Sequence, residues 1–323
     1  MLGRISPHIP SKDCFNQSQE IAEATNQCFT VKDLVDFSDR TYGDWRGEFH
    51  KNGCVILRNV ISPERAKYYA DKQIEWLKSF ELGFDENDES TWPGEHLPVS
   101  SKGGMYFAYG ATHEKSVWEA RSELAVIENF EKFPWPHCDQ NPDRKGMQTV
   151  QGLLNFAPNG PKDGGLMQMK GSAKLFDEFF AQKREQYDHE DAPPPELKYM
   201  DLFLFHEKDV KWFQERGCEL TKVNLGPGDF VLRDSRPLHY ACFPEGDQIR
   251  HAQYICMTPR RFANEGALEL KKCKLIKWKC SNIRPAAEKP MRNGEVCPKD
   301  RSEPFEKPVL TDTVLKLAGV KPY

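Results

Sequence analysis

The stretch that decides the fold is LHYACFPEGDQIRHAQYICM, residues 238–257. The runs Leu238–Phe243 and Arg250–Met257 have the composition of short β-strands, and the Pro-Glu-Gly-Asp between them is a turn sequence. If the two runs pair across this turn, His239 and Arg250 are diagonal neighbours on one sheet face, roughly 7–8 Å apart. The stretch therefore predicts a β-hairpin that presents an imidazole and a guanidinium to the same space.

The chain upstream of this hairpin shows the same pattern of short strands from residue 135 onward. Apolar runs of strand length alternate with turns that contain Gly and Pro, and a helix is predicted over Gly171–Arg184. The predicted strands are Val150–Phe156, Gly165–Met169, Glu219–Leu225 and Asp229–Leu232. Such a series predicts an all-β barrel or sandwich.

Residues before 135 have a helical pattern instead. After a predicted strand over Cys54–Leu57, Ser62 and Pro63 supply an N-cap and a first-turn proline, and apolar residues then recur at helical spacing. A second helix is predicted over His113–Phe130. The predicted fold class is therefore mainly β, with flanking helices packed on one face.

We predict one domain over residues 31–323, preceded by a weakly ordered arm over residues 1–30. Within the domain, residues 31–134 form a helical buttress, residues 135–260 the β core and residues 261–323 a C-terminal wrapping segment. We find no internal repeat that would divide it further.

The composition excludes several classes of protein. The 45 basic and 49 acidic residues leave a net charge of −4, and the one basic stretch, residues 260–301, is interrupted by glutamates, so no nucleic-acid partner is expected. No apolar run approaches the roughly 18 residues of a membrane helix, and the N-terminus lacks the apolar segment of a secretory signal. The 10 cysteines form no CxxC pair and are interpreted as reduced thiols. We expect a cytoplasmic protein that acts on a small molecule, and the sequence leaves its oligomeric state open.

A candidate metal site begins in Trp135–Asp139, WPHCD. Because Pro136 makes the segment extended, His137 and Asp139 point to the same side. With His239 from the hairpin they would form the set of two histidines and one carboxylate that binds non-heme Fe(II). Arg250 would then pair with the distal carboxylate of a co-substrate chelated to that iron. A lone His-x-Asp is common by chance, so this interpretation depends on the predicted proximity of His239 to Arg250.

These residues lie in motifs that resemble the phytanoyl-CoA dioxygenase family, in its fungal branch. The similar segments are Tyr109–Glu114, Trp135–Phe180 and Gly228–Arg250, and the resemblance extends over residues 45–270. It implies a double-stranded β-helix, the jelly-roll or cupin-like core, together with Fe(II), 2-oxoglutarate and O2.

Carried over residue by residue, the resemblance implies that His137, Asp139 and His239 bind the iron. It also implies that Arg250 holds the distal carboxylate of 2-oxoglutarate. Tyr109 and His113 are candidates for the substrate pocket, although a histidine that caps its own helical turn is the simpler interpretation of His113.

The sequence departs from the family pattern in three places. Ala241 stands where some members have a hydroxyl residue that assists the arginine, and Arg233 stands where a tryptophan is expected. The third departure is the short segment Glu131–Pro136, where the family usually has a further core strand. We therefore expect one core strand to be missing before His137.

The sequence thus predicts an Fe(II)- and 2-oxoglutarate-dependent dioxygenase that oxidises, most simply by hydroxylation, a C–H bond of a small organic metabolite. Three alternatives stay open. The first is a catalytically impaired β-helix protein that keeps the metal site, and the second is a cupin that uses iron without 2-oxoglutarate. The third is an oxygenase that acts on an acyl-CoA.

Overall fold

The computed structural model describes residues 43–100, 104–131, 150–189, 203, 205–234, 236–246, 248–257, 265–278 and 290–322. His137, Asp139 and the predicted arm, residues 1–30, lie outside the described residues. The described chain divides into two compact units. One contains the β core, from residues within 43–97 and 116–260, and the other contains residues within 98–115 and 261–323. The single domain expected from the sequence stays a prediction.

The described chain contains both helices and strands. The strands are β1 Cys54–Leu57, β2 Val150–Asn155, β3 Gly165–Lys170, β4 Glu219–Lys222, β5 Phe230–Asp234, β6 His239–Cys242, β7 Ala252–Met257, β8 Met291–Arg292 and β9 Glu295–Val296. The helices are α1 Trp45–Asn52, α2 Pro63–Lys78, α3 Lys115–Arg121, α4 Leu124–Glu131, α5 Phe176–His189, α6 Glu207–Gln214, α7 Glu265–Ile276 and α8 Asp312–Leu317.

The β core consists of two antiparallel sheets. The first has four strands in the order β1-β5-β2-β7, and the second has three strands in the order β4-β3-β6. The predicted strands are confirmed to within a few residues, and so is the mainly β class with flanking helices. The helix predicted after Ser62 is also confirmed, because the Ser62 hydroxyl accepts from the Arg65 amide and Pro63 opens α2.

Apolar side chains fill the space between the two sheets. Leu153 and Val231 from the four-stranded sheet pack with Val223 and Leu166 from the three-stranded one. Because side chains alternate along a strand, residues two apart from these lie on the same inner faces.

The outer face of each sheet is covered by helices. Side chains of α1, α2, α3 and α4 pack on the four-stranded sheet around the fully buried Leu154 and Phe230. On the three-stranded sheet, aromatic residues of α5 and α6 pack around Met169 and Leu238. The sequence prediction of helices on one face was therefore incomplete, because the α5–α6 aromatic cluster forms a second apolar cover.

Two local predictions were wrong. The strands β6 and β7 do not form a hairpin, since β6 pairs with β3 and β7 pairs with β2 in the other sheet. The helix expected over His113–Phe130 is divided into α3 and α4 near Glu123, whose carboxylate contacts Arg65 and Tyr69 of α2. The break places the Glu123 carboxylate beside two buried or partly buried polar side chains, so that it satisfies both. In a continuous helix this carboxylate would not lie next to them.

The expected absence of a core strand concerns the edge of the four-stranded sheet. Among the described residues, β7 pairs with β2 and with no other strand. The segment before β2, residues 132–149, lies outside the described residues. The missing strand therefore stays a prediction.

The second unit contains a buried glutamate, Glu114, that binds backbone amides of the C-terminal segment. The Glu114 carboxylate accepts hydrogen bonds from the backbone amides of Phe305 and Glu306, at 2.6 Å and 2.8 Å. This unit also contains α7, α8 and the two-stranded β8-β9 ribbon.

In the described part of the chain no helix is long and apolar enough to cross a membrane.

Gly152 at the centre of β2 provides a test of the sheet packing. A Cβ there would lie 2.5 Å from Phe230 Cζ and 2.8 Å from the Ile255 carbonyl oxygen. We expect Gly152→Ala to lower the free energy of unfolding by about 1–3 kcal/mol, because neighbouring strands leave no room for a methyl group. Urea unfolding measures this, with Gly160→Ala as control, where the nearest atom to a Cβ is 3.5 Å away. Equal stability of the two variants would contradict the packing described here.

Candidate active site

His239 is the first residue of β6 and lies on the inner face of the three-stranded sheet. It pairs with Gln168, which is two residues from the inward-packed Leu166. The His239 ring nitrogen Nδ1 is 3.1 Å from the Pro237 carbonyl oxygen. Because a carbonyl oxygen only accepts, Nδ1 carries the proton in this hydrogen bond, and the lone pair of the neutral ring is on Nε2. Metal-binding histidines are commonly oriented in this way.

The backbone beside His239 is fixed by a buried serine. The Ser172 hydroxyl donates to the Met169 carbonyl at 2.7 Å and accepts from the Leu238 amide at 3.0 Å. Ser172 is fully buried, so both hydrogen bonds are shielded from water. They tie the entry of β6 to β3 and thereby fix the position of the imidazole.

Two other polar side chains share the inner face with His239. Gln168 pairs with His239 on one side and with Thr221 of β4 on the other, so the three form a row across the sheet. Gln168 is fully buried, and neither its amide oxygen nor its amide nitrogen has a hydrogen-bond partner among the described residues. The Thr221 hydroxyl is also buried without a partner. Unsatisfied buried polar groups are costly, so this row indicates a place where a bound group or water completes the hydrogen bonds.

Arg250 enters the same interior from the opposite sheet. Its guanidinium carbon lies 6.0 Å from the centre of the Tyr254 ring, and Tyr254 pairs with the inward-packed Leu153. The Arg250 Nε is buried, and no other residue in the described ranges forms a hydrogen bond with it. Within the described residues, no carboxylate forms an ion pair with Arg250. An arginine held in this way is suited to binding a carboxylate from outside the chain.

Helix α2 positions the strand that carries Arg250. The Gln73 side-chain oxygen is 3.0 Å from His251 Nδ1, and the Gln73 amide donates to the Ala252 carbonyl at 3.3 Å. Burial lowers the pKa of His251. Because an amide oxygen only accepts, His251 donates its Nδ1 hydrogen to Gln73. The Phe156 amide, directly after β2, donates to the His251 carbonyl at 2.9 Å. The backbone after Arg250 is thus held from two sides.

A second cation lies beside Arg250. A Cβ placed on Gly165 would be 3.4 Å from Lys222 Nζ and 3.6 Å from Arg250 Nε. Lys222 Nζ also donates to the Asn159 side-chain oxygen at 2.9 Å. Two cationic groups therefore approach one glycine at the start of β3.

The structure describes two of the four residues predicted to bind the metal and the co-substrate, His239 and Arg250. His239 and Arg250 lie on the facing inner sides of the two sheets, although the hairpin expected to join them is absent. Among the described residues no group of three or more His, Cys, Asp or Glu side chains could hold a metal. That finding does not test the predicted triad, because the other two predicted ligands, His137 and Asp139, lie outside the described residues.

Tyr109 and His113 lie in the unit that contains the C-terminal segment. Both are buried, with the Tyr109 hydroxyl accepting from the Val99 amide at 3.0 Å and the His113 ring packed edge-on against Trp278. Burial raises the pKa of Tyr109. These contacts account for both side chains as packing within their own unit, and a role in a substrate pocket stays a prediction.

Three residues at the site were missed by the sequence reasoning: Asn159, Gln168 and Lys222. Asn159 precedes a glycine in a turn, while Gln168 and Lys222 stand in ordinary strand patterns. Strand pattern alone does not say which polar side chain faces the interior of a β core. No signal in the sequence distinguishes these residues from solvent-exposed ones.

Two facing antiparallel sheets that carry His239 and Arg250 on their inner sides define a protein of the double-stranded β-helix class, as predicted. The crystal structure of GIG2 (DUF1479), a GlcNAc-inducible gene product of Candida albicans, has a similar fold. It has a TM-score of 0.52 and 13% identity, and the match covers 96% of this chain and 90% of that one. At this identity the likeness concerns the fold alone.

Sequence comparison identifies the family. No family model matches the chain. It is 58% identical over 265 residues to "Ava biosynthesis cluster protein O" of Aspergillus versicolor, with 74% of this chain and 85% of the relative covered. The chain belongs to the same family as that protein. It is also weakly homologous, at 21% identity over 282 residues, to the Dictyostelium discoideum protein named "Putative phytanoyl-CoA dioxygenase", with 67% of this chain and 75% of that protein covered.

The unsatisfied amide of Gln168 generates a stability prediction. Replacing a buried, unpartnered amide by an apolar side chain of similar size removes a cost of about 1–3 kcal/mol. We expect Gln168→Leu, measured without metal or co-substrate, to unfold in urea with an equal or higher free energy than the original protein. The control is Gln253→Leu, which loses the 2.9 Å hydrogen bond from its amide to the Val117 carbonyl and is expected to be less stable. A similar loss in both variants would show that Gln168 is already satisfied in the free protein.

Proposed function

We propose that this protein is an Fe(II)- and 2-oxoglutarate-dependent dioxygenase that oxidises a C–H bond of a small organic molecule, with hydroxylation as the expected outcome. The observation that carries the proposal is the pair His239 and Arg250 on facing inner surfaces. His239 donates its Nδ1 hydrogen to the Pro237 carbonyl. Arg250 has a buried Nε with no hydrogen-bond partner among the described residues. The weak homology to a protein named as a phytanoyl-CoA dioxygenase supports it.

The residues present fit a ferrous ion. His239 offers a neutral imidazole whose tautomer is set by Pro237, which is the usual second contact of a metal-binding histidine. His137 and Asp139, spaced to point to one side of an extended segment, would complete two histidines and one carboxylate. That donor set leaves coordination positions open for co-substrate and O2.

Fe(II) supplies the oxygen-activating chemistry when it is bound, and the residues of the chain supply orientation and shielding. Arg250 would hold the distal carboxylate of 2-oxoglutarate, because its planar fork pairs bidentately with a carboxylate. The inner apolar residues Leu153, Val231 and Leu166 exclude water from the space between the sheets, which strengthens that ion pair.

The substrate is proposed to be a small molecule rather than a macromolecule. The relative with 58% identity is named for a biosynthesis cluster, which supports a biosynthetic substrate. Release of succinate that requires both Fe(II) and 2-oxoglutarate distinguishes the proposed dioxygenase from an impaired protein that keeps the metal and from a cupin that uses iron alone.

The metal assignment is tested at His239. We expect His239→Ala to lose stoichiometric Fe(II) binding, measured anaerobically by metal analysis after gel filtration, because one of three protein ligands is gone. Asp139→Ala should have the same effect. The control is His96→Ala, since His96 contacts the Leu82 carbonyl and is not part of the predicted set. Full iron occupancy and succinate release in His239→Ala would overturn the triad.

The co-substrate assignment is tested at Arg250. We expect Arg250→Ala to leave Fe(II) bound and to weaken 2-oxoglutarate roughly 10- to 150-fold, the equivalent of a charge-assisted hydrogen bond worth ~1.5–3 kcal/mol. Arg250→Lys should recover only part of this, because it lacks the planar fork. The charge-transfer absorbance of the anaerobic Fe(II) protein reports the titration. Arg216→Ala, which removes a cation stacked on Trp212, is the control, and unchanged affinity in Arg250→Ala would remove Arg250 from the site.

A further inference from the structure

Lys222, the last residue of β4, is held in one position by two hydrogen bonds. Its Nζ donates to the Asn159 side-chain oxygen at 2.9 Å and to the Val223 carbonyl at 3.1 Å. Asn159 is itself buried and fixed, because its amide donates to the Gly164 carbonyl at 2.7 Å and its backbone pairs with Leu225. An ammonium has three N–H donors, so one donor of Lys222 is available for a further acceptor.

The ammonium and the guanidinium converge on Gly165. The point where a Cβ of Gly165 would stand is 2.9 Å from the Asn159 side-chain oxygen, and both cationic nitrogens lie within 3.6 Å of it. Any side chain at this position would occupy the space that the two cations border. Glycine therefore keeps open a small volume between Lys222 and Arg250.

The charges around this volume are not balanced within the described chain. Neither Lys222 nor Arg250 forms an ion pair there, and the nearby Asp163 carboxylate accepts from the Gly160 amide at 2.6 Å. Burial, together with the charge of Arg250, lowers the pKa of Lys222, whereas Cys242 and Asp163 act in the opposite direction. Two half-buried cations that repel each other are relieved by an anion placed between them.

The volume at Gly165 and the imidazole of His239 lie at opposite ends of the β3–β6 pair. Gly165 pairs with Cys242, whereas His239 stands at the other end of β6, three residues away. At about 3.3 Å per residue, the two ends are roughly 10 Å apart along the strand. Arg250, the residue proposed for the distal carboxylate of the co-substrate, borders this volume, so Lys222 lies beside that proposed subsite.

We propose that Lys222 is a second cationic residue for the distal carboxylate of the co-substrate, positioned by Asn159 and acting beside Arg250. The inference rests on the proposed function and adds a residue to it. It also accounts for Ala241, which stands where some related sequences have a hydroxyl residue beside the arginine. In this chain a lysine of β4, which is separated from β6 by β3, supplies the donor that Ala241 lacks.

The test measures ligand binding to the anaerobic Fe(II) protein by charge-transfer absorbance and by calorimetry. We expect Lys222→Met to bind Fe(II) normally and to bind 2-oxoglutarate roughly 10- to 100-fold more weakly. Lys222→Arg should keep most of the affinity, because it restores a cation. Lys170→Met, a lysine at the end of β3 in the same sheet, is the matched control and should bind like the original protein.

A monocarboxylate co-substrate analogue separates binding from a structural role. 2-Oxobutyrate has the chelating end of 2-oxoglutarate without the distal carboxylate, so its affinity should be the same in Lys222→Met and in the original protein. Equal weakening of both ligands would show that Lys222 only supports the fold, and unchanged 2-oxoglutarate affinity would also overturn the inference. Absence of 2-oxoglutarate binding to the original protein would overturn the proposed function itself, so the two failures are distinguishable.

Discussion

The antiparallel pairing of β3 with β6 is the constraint on which the site depends. Its register places Gln168 opposite His239 and Gly165 opposite Cys242, so one end of the pair carries the imidazole and the other end the opening beside Arg250. A shift of one residue would turn His239 to the outer face, where the aromatic cluster of α5 and α6 packs. Ser172 protects this register, because its buried hydroxyl bonds to both strands.

The interior between the sheets contains polar groups that the described chain does not satisfy. Gln168, Thr221 and the Nε of Arg250 are buried without partners, whereas neighbouring positions on the same faces are apolar. Each such group costs free energy when it has no partner, and an apolar residue in its place would be less costly. Their concentration around His239 and Gly165 is the pattern expected when the missing partners are ligands.

Much of the fold could be predicted from the sequence, because local patterns dictate it. Ser62 and Pro63 mark a helix start by capping chemistry alone, and alternating apolar runs mark the strands wherever they pair. The hairpin prediction failed because the turn after β6 leads into the opposite sheet, and proximity in sequence does not establish strand pairing. His239 and Arg250 nevertheless face the space between the two sheets, and their predicted proximity stays a prediction.

The sequence by itself determined the strands and the helix start at Ser62, and it predicts that His137, Asp139, His239 and Arg250 carry the chemistry. Only the tertiary structure showed that Lys222 meets Asn159, which is 63 residues away, and that Gln168 is buried beside His239. The reason is physical: a strand pattern has a period of two and records which residues share a face. Which face turns inward, and which distant strand lies next to it, depends on pairing across the whole β core.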